Sequence, residues 1–257
     1  MPEITSIMSD RKILLLFIAL FLCIFLPPIA SKPFSSQETP LVIRDVITQT
    51  TYLWLSPIVH VATIILLVAL YLYGNKLGRI ADAFFAILFL FFALGQNIAV
   101  TENYGLAVVT GNLVIILVVA LFWMWEVYKP LNEYVFQRLP LWRYWVIPFS
   151  ILAFWFPINP DASPNFNPLL LLTSDFGVMF CPTAPVVIAV LTLVYPRVNK
   201  RLLNVTSFVS LLVGLFNVMA LFVMAGYTLY VLILHIPLIL IPLYGLLIPL
   251  IAKKEPS

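Results

Sequence analysis

The sequence predicts an all-α integral membrane protein. It reads as a bundle of about eight transmembrane helices with both termini cytoplasmic and the sixth and eighth helices kinked or broken by proline. Three observations carry that prediction. Of 257 residues 63% are hydrophobic and only 10% are charged, with a mean hydropathy of +1.07; a soluble domain is nearer half apolar and a quarter charged. Apolar runs of roughly 20 residues, long enough to cross the hydrocarbon as helices, recur along the chain. Lysine and arginine sort to one side of those runs, as expected of residues that resist translocation. Residues 1–257 therefore read as a single polytopic transmembrane domain, expected in the cell membrane.

The runs lie at about 13–30, 52–73, 80–100, 106–127, 142–157, 170–195, 203–224 and 228–251. The first also has the basic flank and apolar core of a secretory signal. Its core is long for a signal and Pro-Ile-Ala is a poor cleavage site, so an uncleaved anchor is expected; cleavage would leave seven spans and an external N-terminus. Residues 31–51 form an external amphipathic segment. Thr39 followed by Pro40 suggests a helix start, with Leu41, Val42 and Val46 as an apolar stripe opposite Arg44 and Asp45. An interfacial helix over 39–51 fits, and a disordered tether is the alternative. In the fifth run Pro148 and Pro157 are expected to interrupt or end the helix, and "CPTAP" to break the sixth. The 157–168 connection, rich in proline and asparagine, reads as a stiff external turn-rich loop.

With eight spans, Arg11, Lys12, Lys76, Arg79, Lys129, Arg138, Arg143, Arg197, Lys200, Arg201, Lys253 and Lys254 share the cytoplasmic side. Only Lys32 and Arg44 lie outside. The net charge of +3 suggests no nucleic-acid partner. Cys23 and Cys181 have neither disulfide-framework nor metal-ligand spacing and read as small apolar residues. The Asn204-Val-Thr206 triplet matches a glycosylation sequon but falls on the cytoplasmic side. No nucleotide-binding loop, zinc-protease or nucleophile-elbow motif is present.

Polar residues inside the runs supply the candidate site. Counted at about 1.5 Å per helical residue, His60, Asn112, Asp175, Asn217 and His235 share one depth band in the outer half, while Gln96, Asn97, Glu102 and Asn103 crowd the outer end of the third span. Asp82 and Glu126, near cytoplasmic ends beside Arg79 and Lys129, read as rim residues. An outward-facing pocket lined by His60, Gln96, Asn97, Glu102, Asn112, Asp175, Asn217 and His235 would explain the asymmetry. Asp175 is either part of that pocket, beside backbone loosened by Gly177, Pro182 and Pro185, or a helix N-cap. Pro237, Pro242 and Pro249 would free carbonyls near 233, 238 and 245, kinking the eighth helix beside His235. His60 has Ser56 and Pro57 one turn above it; each histidine's alternative is a bond to a neighbouring carbonyl.

Three functional classes follow. The first is a transporter or a small-molecule or ion binding protein, supported by the outer polar band, the broken helices and tight turns such as "MAGYT". A loose likeness between "LGQNIAVTENYG" and "VGLFNVMALFVMAGY", pairing Asn97 with Asn217 and Asn112 with His235, hints at a duplicated half. The second is an electron-transfer subunit holding one haem b between His60 and His235. The third is an intramembrane enzyme acting on a lipid-like substrate through His60, His235, Asp175 and Glu102. A structural subunit of a membrane complex is the remaining reading. A retinal protein is disfavoured, because no lysine lies deep in a span. The partners implied are the lipid bilayer and a small-molecule or ion substrate, with a homo-oligomer or larger membrane complex left open. The sequence alone identifies no cofactor.

Overall fold

The computed structural model describes residues 10–50, 52–159, 161–223 and 229–252. It is predominantly α-helical, with few strands. Its helices are α1 (Asp10–Cys23), α2 (Thr39–Gln49), α3 (Ser56–Tyr73), α4 (Gly78–Gly95), α5 (Thr110–Tyr128), α6 (Val146–Trp155), α7 (Leu170–Thr173), α8 (Phe180–Val194), α9 (Lys200–Val223) and α10 (Leu229–Ile251). Among the described residues four helical stretches are long and apolar enough to cross a membrane: one within Ser36–Gly95, then Thr110–Tyr128, Lys200–Met219 and Leu229–Ile251. One continuous core, including Phe85, Phe89, Trp123, Ile188, Leu202, Leu203 and Ile241, runs between α4, α5, α8, α9 and α10. The turn "MAGYT" and the basic pair Lys253 and Lys254 lie outside the described residues.

The expected third and fourth spans are trimmed at their facing ends. Residues read as helix up to 100 and from 106 instead build β2 (Ile98–Thr101) and β3 (Gly105–Val108), an antiparallel hairpin joined by β1 (Ile29–Ala30) in the order β1-β3-β2. Alternation and turn chemistry win over mean hydropathy here. Gly105, at φ +67, takes the left-handed position that closes the hairpin, and the Tyr104 N–H donates to Thr101 Oγ1 at 3.1 Å. The first span shortens for the same reason, because the chain after Cys23 leaves the helix and reaches β1.

The α2 helix forms as the 39–51 reading expected, with Pro40 in its first turn. Its N-cap is Glu38 rather than Thr39, preceded by a capping box in which Ser35 and Glu38 bond reciprocally. Val42 and Val46 are buried against Ala107, Val109 and Tyr104, so α2 packs on the hairpin. Leu41, placed in the apolar stripe by the sequence, is 40% exposed.

Proline acts differently from expectation in two places. Pro148 sits in the first turn of α6, where no intrahelical donor is lost, and does not interrupt it; the helix ends at Trp155 before a left-handed Phe156. The sixth span breaks at residues 174–179, ahead of "CPTAP", which lies inside α8. The α10 helix continues through Pro237, Pro242 and Pro249 without a break.

Candidate functional site

The break before α8 gathers several of the singled-out side chains. Gly177 there holds φ +77, and a Cβ on it would come within 2.3 Å of Val59 Cγ1, so the turn can lie against α3 only as glycine. His60 on α3 is fully buried in a cluster with Phe154 and Phe176, whose ring centroids are 4.8 and 5.1 Å from its own and 4.5 Å from each other. Its Nδ1–H donates to the Ser56 carbonyl at 2.8 Å, and Nε2 lies 3.1 Å from Ser174 Oγ. Ser56 Oγ donates to the Ser174 carbonyl. Gln96, at the end of α4, accepts the Phe180 N–H at 2.9 Å through Oε1. Asn217 on α9 donates to Cys181 Sγ at 3.1 Å.

Asp175 lies in the turn itself, neither within a helix nor at an N-cap, because Met179 is the residue preceding α8. Its carbonyl accepts the Met179 N–H at 2.8 Å. His60 and Asp175 thus meet at this turn, while Gln96 and Asn217 bond the first two residues of α8, Phe180 and Cys181. The bonds of His60, Gln96 and Asn217 latch α3, α4 and α9 to the turn and the helix it starts.

The remaining four sit apart from this latch. Asn97 donates to the Phe92 and Ala93 carbonyls at 2.9 and 3.2 Å, finishing α4. Glu102 is exposed at the hairpin tip, where its carbonyl accepts from Lys32 Nζ. Asn112 is half-buried on α5. His235 is half-buried on α10, its Nδ1–H donating to Val231 one turn back at 2.8 Å. Asn97 in a chain turn and Asn217 within a helix have dissimilar settings, so the duplicated-half pairing gains no structural support. His60 Nδ1 is bonded to the Ser56 carbonyl and Nε2 lies against Ser174 Oγ, so a haem iron would have to displace Ser174 to reach this ring.

The opposite end of the bundle, marked by Arg79, Lys129, Arg197 and Lys200, holds a polar network that depth counting assigned to the rim. Asp82 and Glu126 are both 0% exposed. Neither forms an ion pair among the described residues, whose two bridges are Arg44–Asp45 and Arg197–Glu133. Lys129 instead lies over the Trp125 ring, 5.0 Å from its centroid, and Arg79 is exposed. Asp82 Oδ1 accepts the Tyr134 hydroxyl at 2.7 Å and Asn132 Nδ2 at 3.0 Å. Glu126 Oε1 accepts the Leu131 and Asn132 N–H groups, and Oε2 accepts Asn199 Nδ2 at 2.6 Å. Asn132 Oδ1 accepts the Asn199 N–H at 2.8 Å, so Asn132, bonded to Asp82 through its side chain and to Glu126 through its backbone, ties both acids to the residue before α9.

Asp82 Oδ2 is buried with no hydrogen-bond partner among the described residues. Burial, followed by the nearby Asp82 carboxylate, holds the Tyr134 phenol well above its usual range, so it stays a donor. An open cleft of about 400 Å³, lined by Asn75, Arg79, Pro130, Leu131, Asn132 and Glu133, adjoins the network. Arg143 is likewise buried rather than a loop cation, donating to the Thr192 and Tyr195 carbonyls at the end of α8.

The sequence held a signal for this network. Asp82 shares a helical face with Phe85 and Phe89, and Glu126 with Val119 and Trp123, all buried. Among the described residues no group of three or more His, Cys, Asp or Glu side chains is arranged to hold a metal ion. No protein family, curated protein or solved structure matches the chain, so its chemistry is read from this geometry alone.

Proposed function

We propose that the chain is an eight-crossing protein of the cell membrane with both termini cytoplasmic, of the transporter or ion-binding class, and that its cargo is a cation handled at the basic end. One observation carries the reading: among the described residues, two fully buried carboxylates on neighbouring helices have no cationic partner, and one of their oxygens has no hydrogen-bond partner. Removing an ion from water costs several kcal/mol even after relaxation. Ionisable groups in a membrane bundle therefore tend to be paired or to mark an ion path. A bound cation, a proton included, supplies the missing charge at Asp82. Asn132 carries the connection outward, since it bonds to both acids and also lines the cleft. Asp175, half-buried at the far end and without an ion pair among the described residues, supports a second acidic station.

The test uses the full chain in proteoliposomes under an imposed membrane potential, with an entrapped pH dye for protons and radioactive sodium for a metal cation. Cation entry above that of empty vesicles is expected, and Asp82→Asn should abolish it while the folded protein is retained. Absence of flux for both probes in the unaltered chain overturns the cargo assignment.

A further inference from the structure

The three-stranded sheet has an outer face that nothing in the bundle covers. Its register places Ile29, Ile98 and Val108 side by side, with Val100 opposite Leu106 on the same face. Every one of these residues is apolar, and Val100 is 75%, Ile29 62% and Leu106 52% exposed. The other face, with Ala99, Ala107 and Ala30, packs under α2. An antiparallel sheet that turns one face to water normally alternates polar residues there. This one does not.

We infer that this face rests on lipid, at the boundary between headgroups and acyl chains of the leaflet nearest the hairpin. The apolar surface is continuous with its surroundings. Leu22, Phe25 and Leu26, which lead from α1 to β1, are 62%, 59% and 42% exposed, and Leu94 at the end of α4 is 46% exposed. Length sets the depth. The 18 residues of α4 span about 27 Å at 1.5 Å each, close to the roughly 30 Å of hydrocarbon, so β2 begins where the hydrocarbon ends.

Two further features keep the sheet from sinking deeper. The outward backbone groups of edge strand β2 lack a neighbouring strand, and such an edge is not tolerated inside hydrocarbon. The hairpin tip is polar, with Lys32 bonded to the Glu102 carbonyl and Asn103 Nδ2 2.9 Å from Asp45 Oδ2. The sheet is thus a wedge with an apolar face on lipid and a charged tip in water. A phospholipid bilayer of any headgroup suffices as the partner, because no basic side chain lies on the face.

A depth measurement on the full chain tests the wedge independently of cation flux. Val100→Cys and Gln49→Cys, the latter on exposed α2, are each labelled with an environment-sensitive fluorophore, with the unaltered chain as the labelling blank. Both are reconstituted in phosphatidylcholine vesicles carrying a nitroxide at the headgroup, at an upper acyl carbon or at mid-chain. The label at 100 should emit to the blue of that at 49. It should be quenched most by the headgroup and upper-acyl nitroxides, and iodide should quench only the label at 49. Iodide quenching of both labels overturns the inference by placing the face in water. Disulfide formation between Val100→Cys chains overturns it by making the face a contact between two copies.

Discussion

His60, Gln96 and Asn97, toward the hairpin end, are each satisfied chiefly by backbone groups or by a hydroxyl tied to one. Asp82 and Glu126, at the basic end, belong to a web that joins side chain to side chain as well as two backbone N–H groups to Glu126. A carbonyl left over at a helix end or break needs one donor, and a neutral amide or imidazole supplies it with little electrostatic cost. A carboxylate away from water needs several donors or a cation, and it recruits groups from distant parts of the chain. Glu126 recruits residues 131, 132 and 199. The difference teaches that position along the membrane normal does not rank polar residues; the demand each one makes on its neighbours does.

The comparison can be broken most sharply at Glu126. Replacing it with alanine leaves the Leu131 and Asn132 N–H groups and the Asn199 amide without their acceptor, at about 1–3 kcal/mol for each group that water cannot reach. Glu126→Ala should therefore give the largest fall in thermal unfolding temperature in detergent. A loss no greater than that of a hairpin-end variant would dissolve the distinction.

Ser174→Ala is the matching change at the other end, removing the hydroxyl beside His60 Nε2 that also donates to the Phe154 carbonyl at 3.0 Å. Hydrogen bonds inside membrane bundles average about 0.6 kcal/mol and reach about 1.7. A loss in that range is expected by the same measurement, and a loss equal to that of Glu126→Ala would show the latch to be more than a set of separate bonds.

The smallest effect lies outside the bundle. The Ser35 N–H, and then its hydroxyl, hold the Glu38 carboxyl below its usual 4.5. A folded value depressed in this way adds stability that is present above the unfolded value and lost as pH falls through the folded one. Hydrogen exchange at the first amides of α2 should accelerate, relative to the intrinsic rate at each pH, as the solution is acidified below about pH 4.5. Glu38→Gln should remove that dependence. A dependence that persists in the variant would assign it to another group.

Much of the helical plan was legible because it rests on long apolar runs: α3, α5 and α9 lie within or close to the expected spans. The hairpin was not, since the apolar ends of "NIAVTENYGLAV" run on from the helices it joins; only its Asn-Tyr-Gly turn and β-branched alternation distinguish it. The candidate residues were found by depth alone, which locates a side chain along a helix but not around it. His60 and Gln96 meet at residues 174–180 because that turn folds back to them, a long-range event that no local pattern encodes. Asp82 and Glu126 were misread for the converse reason: a nearby lysine or arginine in sequence is not a partner when it faces an aromatic ring or solvent.

One mechanical consequence follows from how α4 and α5 are joined. The β2–β3 hairpin ties them at one end, Asn132 clamps their acids at the other, and Trp123 lies 5.2 and 5.9 Å from Phe85 and Phe89 between. Pinned at both ends and filled in the middle, the pair behaves as a strut that resists both splaying and sliding. The α10 helix carries three prolines within its length, each lacking a backbone donor and each a point where bending costs less. A load shared between them should flex α10 before it parts the strut.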